Sequence, residues 1–598
     1  MISSIYTIMI NNRIVSFVLF VLFGTTTAVS AQDTHKSNLQ WLQQEQDAEK
    51  NTVILHNENS IIPFVQLDTL AAASVNLGAR YSSRFNHLVN KYTKVETLGG
   101  YALQDRPGYA HLSDDLKLSK TVLLQFSATS IYDQQLLNFL NEMEKTKKLV
   151  IVISGKEDHL EFFKGLRAPI IWCKKETPQS ASVTAQIIFG GIVQGKSPLR
   201  LKYTVPEETG INKTDLDSIG LVMKEAMNAK AAPGGVVMVV KDGKVIYEQA
   251  FGKHTYTGNR EMRITDIFDM ASLTKTSATT LEVMRLVEQG KVSLDSTISK
   301  YIARTQNISD KKNILVKEVM LHQAGFTPFI AFYKQLKPAD LSTVQSDKYP
   351  IEVADNYFLR ANYYQDVMWP QMLEEKALTR GKFIYSDLSM YYMKEIVEKV
   401  TAVPLNIYVD KNFYTPLGMQ TAGFLPRKRF IKDNIVPTTE NDTWFRDMLV
   451  QGFVDDPGAA MAGGVSGHAG FFASANDMAI LYQMLLNLGT YGGQQYFKAE
   501  TVSQFTSGQS KVSRRGYGFD RKDPDKTKAY PSTLASSKVF GHTGYTGTAV
   551  WVDPACNLVY IFLSNRVYPD VKSNELGNLS IRGRIQDIIY RAVRKAGN

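Results

Sequence analysis

The strongest constraint on this chain is a change in the spacing of its apolar residues near residue 205. Between residues 52 and 203, short apolar runs at 52–55, 71–75, 121–125, 149–153 and 169–172 alternate with more polar stretches, and residues 134–147 carry Leu136, Leu137, Leu140 and Met143 on one side. Strands alternating with helices build a parallel sheet covered on both faces. Past residue 212 the pattern changes. A helix expected at 214–228, with Leu216, Ile219, Met223 and Met227 in register, leads into two apolar runs joined by Asp242-Gly243. That dipeptide marks a tight hairpin, because both turn positions need positive φ. A second hairpin is expected within 548–563, a closing amphipathic helix at 579–593, and a long insertion lies between. The expected fold class is thus α/β and α+β: a parallel α/β sandwich at 32–205, a linker at 206–212, and an antiparallel sheet flanked by helices at 213–598.

A chain of 598 residues, 44% hydrophobic and 21% charged, has room for two such cores and an ordinary globular composition. Its net charge of +10 is spread thinly, and the basic clusters Arg427-Lys428-Arg429 and Arg514-Arg515 are short. No nucleic-acid module surrounds them, so no nucleic-acid partner is expected. Arg13, the apolar run 14–24 and the small residues ending Ala28-Val29-Ser30-Ala31 have the form of a cleaved export signal. Residues 1–31 are read as a signal peptide, and the run is short for a membrane span. The mature protein is expected to be periplasmic or secreted, with no membrane span. Cys173 and Cys556 lie far apart and read as two buried thiols without metal-site spacing, so neither a metal nor another cofactor is expected.

Chemistry concentrates in Phe268-Asp269-Met270-Ala271-Ser272-Leu273-Thr274-Lys275-Thr276. One helical turn separates Ser272 from Lys275, which brings a hydroxyl and an amine onto one face. A serine becomes nucleophilic when a neighbouring base takes its proton, and a lysine serves only if its charged form is disfavoured. Ala278, Leu281, Val283, Met284 and Val287 continue a helical period to Gly290, which puts Ser272 at a helix start, where backbone N–H groups favour negative charge. The same Ser-x-x-Lys spacing at Ser309 and Lys312 lies in a polar stretch and reads as a solvated loop. Spacing alone leaves Ser272 open between catalysis and an ordinary helix cap.

Three further stretches accompany it: Tyr385-Ser386-Asp387, His542-Thr543-Gly544, and Leu321-His322-Gln323-Ala324-Gly325. In order and spacing the four resemble the serine β-lactamase and penicillin-binding-protein superfamily, in its class C and esterase-like branch, over roughly residues 213–595. The resemblance implies a β-lactamase-like domain in which Ser272 is acylated while Lys275 and Tyr385 share the proton traffic. It implies a strand beginning His542-Thr543-Gly544 that lines the site with Asp387, Gly544 allowing close approach to substrate. It further implies an oxyanion hole from the N–H groups of Ser272 and Tyr545. His322 reads as structural. Gly463-Gly464-Val465-Ser466-Gly467-His468-Ala469-Gly470 resembles a loop flanking the site in esterase-like members, and His468 stays open between structural and catalytic roles. The aromatic segments Ala331-Phe332-Tyr333 and Tyr363-Tyr364 stay open between lining a cleft and filling a core.

Two departures bear on substrate. The usual Lys-Thr-Gly is His542-Thr543-Gly544 here, and the usual Tyr-x-Asn is Tyr385-Ser386-Asp387. Both make the site less positive at neutral pH, which disfavours an anionic β-lactam. The implied activity is an exported serine hydrolase acting through an acyl-enzyme on an ester or amide. Its substrate is a small molecule or peptide, with peptidoglycan-derived peptides among the candidates. The alternatives are a β-lactamase and a non-catalytic module that binds penicillin or cell-wall peptide. Residues 48–63 and 185–198, the latter containing Phe189-Gly190-Gly191, resemble the opening and close of the α/β sandwich that follows the catalytic barrel in family 3 glycoside hydrolases. That family's nucleophile lies in the barrel, for which this chain has no room.

Overall fold

The computed structural model describes residues 34–99, 106–525, 527–572 and 574–597, so the expected signal peptide lies outside the described residues. In the first sheet Thr52–Leu55, Ile170–Cys173, Lys148–Ser154, Thr121–Ser127, Ala72–Asn76 and Val95–Leu98 lie side by side in that order. The last five are mutually parallel, as the alternating pattern requires. Thr52–Leu55 instead runs antiparallel along the Ile170–Cys173 edge. An apolar run reports that a strand is buried and carries no information about its direction. Successive residues of each central strand serve opposite cores: Leu123 and Val150 face Phe85, Leu88 and Ile188, whereas Leu124 and Ile151 face Leu112, Leu136 and Leu140.

The second sheet has the order Asp520–Arg521, Phe540–Thr543, Ala549–Asp553, Leu558–Ser564, Gly234–Lys241, Lys244–Gly252 and Lys202–Tyr203. Its hairpin turn is at Asp242 and Gly243, both at positive φ (53° and 72°). The helices Ser218–Asn228 and Ile581–Ala596 cover one face through Ile219, Met223, Ile585 and Ile589. Thr280–Glu288 and Ala475–Leu486 contribute Leu281, Met284 and Ile480 to the core on the other. That core is continuous with the core under the first sheet.

Lys202–Tyr203 pairs in parallel with Lys244–Gly252, so the chain just before the expected linker supplies an edge strand to the second sheet. Tyr203 Oη bonds Asn476 at 2.6 Å, and Tyr92 Oη donates to the Leu201 carbonyl at 2.8 Å. Cys173 is buried beside Thr52, whereas Cys556 is half-exposed in the last hairpin turn, so only the first fits the expectation of a buried thiol; neither is in a disulfide. Ser309 and Lys312 are both exposed in a turn. No helix among the described residues is long and apolar enough to cross a membrane.

Candidate active site

Phe268–Asp269 pairs with Phe472–Ala473, and the chain then turns sharply at Ala271, whose φ of 45° is left-handed. A non-glycine residue there costs on the order of 1–3 kcal/mol and persists only when its surroundings enforce it. Here they do. Asp269 Oδ1 accepts the Ala271 N–H at 2.8 Å, Thr546 Oγ1 donates to the Asp269 carbonyl at 2.7 Å, and Thr548 Oγ1 donates to the Met270 carbonyl at 3.2 Å. Asp269 is a site residue that sequence reasoning missed. Burial and the nearby Asp455 push its carboxyl up to about 7, against the N–H groups of Asp455 and Ala271 that it accepts. Helix begins at Leu273, directly after Ser272. The Lys275 carbonyl accepts the N–H of Thr280, five residues on, so the helix opens into one wide turn under the site.

Lys275 is fully buried, and its ammonium has three acceptors: Ser272 Oγ at 2.8 Å, Asp387 Oδ1 at 2.8 Å and the His468 carbonyl at 3.3 Å. Burial would lower its pKa, but Asp387 and then Tyr385 outweigh that effect and hold it above the ordinary value. The expectation of a lysine with a disfavoured charge is therefore corrected, because Asp387 faces Lys275 directly. Tyr385 Oη lies 2.9 Å from Ser272 Oγ. Its position is set by the next residues: Ser386 N–H donates to His322 Nδ1 at 3.2 Å, Ser386 Oγ to the Thr327 carbonyl at 2.6 Å, and Asp387 N–H to the Pro328 carbonyl at 2.8 Å. The helix Leu388–Thr401 follows at once.

His542 does not offer the cleft a free nitrogen. It is 3% exposed, Nδ1 donates to the Thr543 carbonyl at 2.7 Å, and Nε2 accepts from Arg515 at 3.0 Å. This fixes one neutral tautomer. Burial and then Arg515 push its pKa down to about 3. Arg515, which sequence reasoning missed, also lies 5.2 Å from the centre of the Tyr385 ring. His322 packs against the same Tyr385 ring, at 4.7 Å, and burial and then Arg515 lower its pKa well below the ordinary histidine value. Gly544 serves a close approach within the fold itself. A Cβ there would lie 2.1 Å from Thr548 Oγ1 and 2.5 Å from the Met270 carbonyl, so the missing side chain lets this strand seat against the nucleophile turn. Thr543 is half-buried beside it. Among the described residues, the N–H groups of Ser272 and Tyr545 donate to no other group.

Ser272 and Tyr385 open into a cleft of about 410 Å³, walled by aromatic side chains that include Phe332, Tyr333, Tyr391 and Trp444. The aromatic segments thus divide: Phe332 and Tyr333 line the cleft, while Tyr363 is core. Asp387 and Asp456 also line it, their side chains 25% and 34% exposed. His468 Nε2 meets Asp456 at 2.9 Å and Nδ1 meets Ser466 Oγ at 2.9 Å. Although burial alone would raise the Asp456 pKa, His468 holds it below the ordinary carboxylate range. Asp387, Asp456 and His468 bring possible metal-ligand atoms within 4.8 Å of one another. The Lys275 ammonium already on Asp387 and the His468 contact with Asp456 fit a hydrogen-bonded network, not a cation site.

The pattern of the beta-lactamase family matches residues 221–580, more than half of the chain. The chain belongs to the beta-lactamase family. A relative from Escherichia coli O157:H7, provisionally named a D-alanyl-D-alanine carboxypeptidase, is 30% identical over 427 residues, covering 66% of this chain and 94% of its own. An N-acetylmuramyl-L-alanine amidase from Bacillus subtilis strain 168 is 32% identical over 366 residues, covering 57% and 79%. A solved hydrolase with promiscuous acyltransferase activity, EstCE1, is 20% identical with a TM-score of 0.46, covering 63% of this chain and 98% of its own. This beta-lactamase family member is accordingly a serine hydrolase by descent.

Proposed function

We propose that the protein hydrolyses an amide bond in a peptide derived from the cell wall, outside the cytoplasm, through an acyl-enzyme on Ser272. The observation that carries this reading is that Ser272 Oγ lies within hydrogen-bond reach of both Tyr385 and Lys275. Tyr385, acting as its phenolate, takes the serine proton and returns it to the leaving nitrogen. Lys275, held as an ammonium, orients the hydroxyl and, with Arg515, faces the negative charge that the phenolate carries until it takes that proton. The N–H groups of Ser272 and Tyr545 receive the oxyanion. Two relatives, one provisionally named a D-alanyl-D-alanine carboxypeptidase and one named an N-acetylmuramyl-L-alanine amidase, support the substrate class. The domain that resembles part of family 3 glycoside hydrolases should carry no glycosidase activity, and the full-length Ser272→Ala protein should leave an aryl β-glycoside intact.

The cleft's two partly exposed carboxylates, Asp387 and Asp456, favour a neutral or amine-bearing acyl group over an anionic one. At an effective dielectric of about 20, a like-charge contact near 4 Å costs on the order of 4 kcal/mol before screening reduces it. Benzylpenicillin should accordingly be a poorer substrate than a neutral peptide amide. Labelling with a fluorophosphonate and then with penicillin, using Ser272→Ala as control, tests the reading. Serine-dependent labelling together with turnover of a peptide amide is expected. Unlabelled wild-type protein that still binds cell-wall peptide would make it a binding module, and efficient lactam turnover would make it a β-lactamase.

A further inference from the structure

A second cavity, of about 1040 Å³, is walled by Phe383, two residues before Tyr385. Arg515 lies over both of those rings, at 5.6 Å and 5.2 Å, and so joins this cavity's wall to the active site. Five cationic residues line the cavity, Lys511, Arg514, Arg521, Lys522 and Lys528, against one carboxylate, Asp523. Two of the five are already answered by acids: Arg514 pairs with Asp520 and Asp523, and Lys528 lies 3.8 Å from Asp523 and Asp525.

The other three are not. Arg521 donates only to the carbonyls of Thr506 and Ser537, and Lys522 only to those of Thr533 and Ala535. Lys511 is exposed and, among the described residues, makes no ion pair or side-chain hydrogen bond. Carbonyl dipoles fix a cation in place without cancelling its charge. A concave wall that holds like charges concentrates their field on whatever enters. The volume exceeds what a single small anion needs and suits several residues of a chain.

We propose that this cavity is a second binding site, taking a carboxylate- or phosphate-bearing segment of an extended substrate whose scissile bond reaches Ser272. The substrate half of this statement rests on the amide-hydrolase reading above; the anion site does not. Two measurements separate them. In the first, fluorescein-labelled tetraglutamate and a phosphopeptide of equal length are titrated into the full-length protein and followed by anisotropy. Binding should weaken with salt and fall about tenfold in Arg521→Gln/Lys522→Gln, on the scale expected for losing two partly screened charges. Because those two side chains also tether loops, Lys511→Glu, which breaks no contact, should weaken binding in the same direction. The stronger of the two probes identifies the oxyanion preferred. In the second, an anionic peptide amide and its carboxamide counterpart are compared as substrates. The double variant should raise KM about tenfold for the anionic peptide alone, with kcat unchanged. Tetraglutamate binding without turnover of either peptide would leave the anion site standing and remove the hydrolase reading. If neither probe binds, or all variants bind like wild type, or KM moves equally for both peptides, the cavity is not this site.

Discussion

Removing the Asp387 carboxylate would leave the buried Lys275 ammonium with two neutral acceptors, Ser272 Oγ and the His468 carbonyl. Burial, which already pulls the lysine down, would then go unopposed by its strongest partner. In Asp387→Asn, the alkaline limb of the kcat/KM profile should therefore move to lower pH. A profile that stays in place would show that the charge of Lys275 does not govern the reaction. Lys275→Ala should cost nearly as much as Ser272→Ala, because members of one proton-transfer unit act non-additively. His542 makes a separate, stability-level prediction. Its folded pKa of about 3 lies below the value of an unfolded histidine. The stabilisation is complete above about pH 6.5 and is lost as pH falls toward 3, on the order of 5 kcal/mol at the limit. Between pH 7 and 4.5, the denaturant midpoint of wild type should fall further than that of His542→Gln. Equal falls would mean that His542 is not held neutral. The Ser272 and Lys275 pairing could be read from the chain because they stand three positions apart, one turn of helix. Arg515 could not, since only folding brings it onto His542, 27 residues away, and onto the ring of Tyr385.

At the scale of elements, local signals were legible and directions were not. Asp242-Gly243 specified its hairpin because the constraint lies within the turn itself, at positive φ. The strand Val95–Leu98 went unrecognised because at the sheet edge only Val95 is buried, leaving too short an apolar run to stand out. The direction of Thr52–Leu55 depends on a partner more than 100 residues away. Gly544 reads from the sequence as a point of close approach to substrate, and the fold adds a second need for it, since the space of its missing side chain is taken by Thr548 and Met270. That packing has a measurable consequence. Gly544→Ala would force the strand away from the turn carrying Ser272. A displacement near 1 Å at reacting groups can cost about a hundredfold in rate. We expect kcat to fall by about that factor, with the melting temperature lowered as well. A fully active Gly544→Ala protein would show that the nucleophile turn does not depend on this strand.

For the molecule as a whole, the sequence marks two patterns of secondary structure, but the fold does not leave two separable bodies. The first sheet's helices and the second sheet share one continuous core, and Lys202–Tyr203 is built into the second sheet. Polar contacts cross at the same place: Lys91 pairs with Glu248, Gln420 donates to the Asn90 carbonyl at 2.7 Å, and Asn476 to the Lys91 carbonyl at 2.9 Å. Arg200, 4% exposed, donates to the carbonyls of Phe64, Val65 and Phe189, which ties the approach to this strand back onto the first half. Opening such an interface would expose apolar surface at about 25 cal/mol per Å² and leave buried polar groups unpaired. The two halves should therefore unfold together. Calorimetry of the full chain should give one transition whose van't Hoff and calorimetric enthalpies agree. A chain beginning at residue 206 should melt well below it, because it lacks both the edge strand and the surface that covers Asn476 and Gln420. A chain beginning in the exposed 194–198 segment keeps the strand and should recover part of that loss. Two resolved transitions in the full chain, or a 206–598 fragment as stable as the whole, would show that the shared core contributes little and that the halves fold independently.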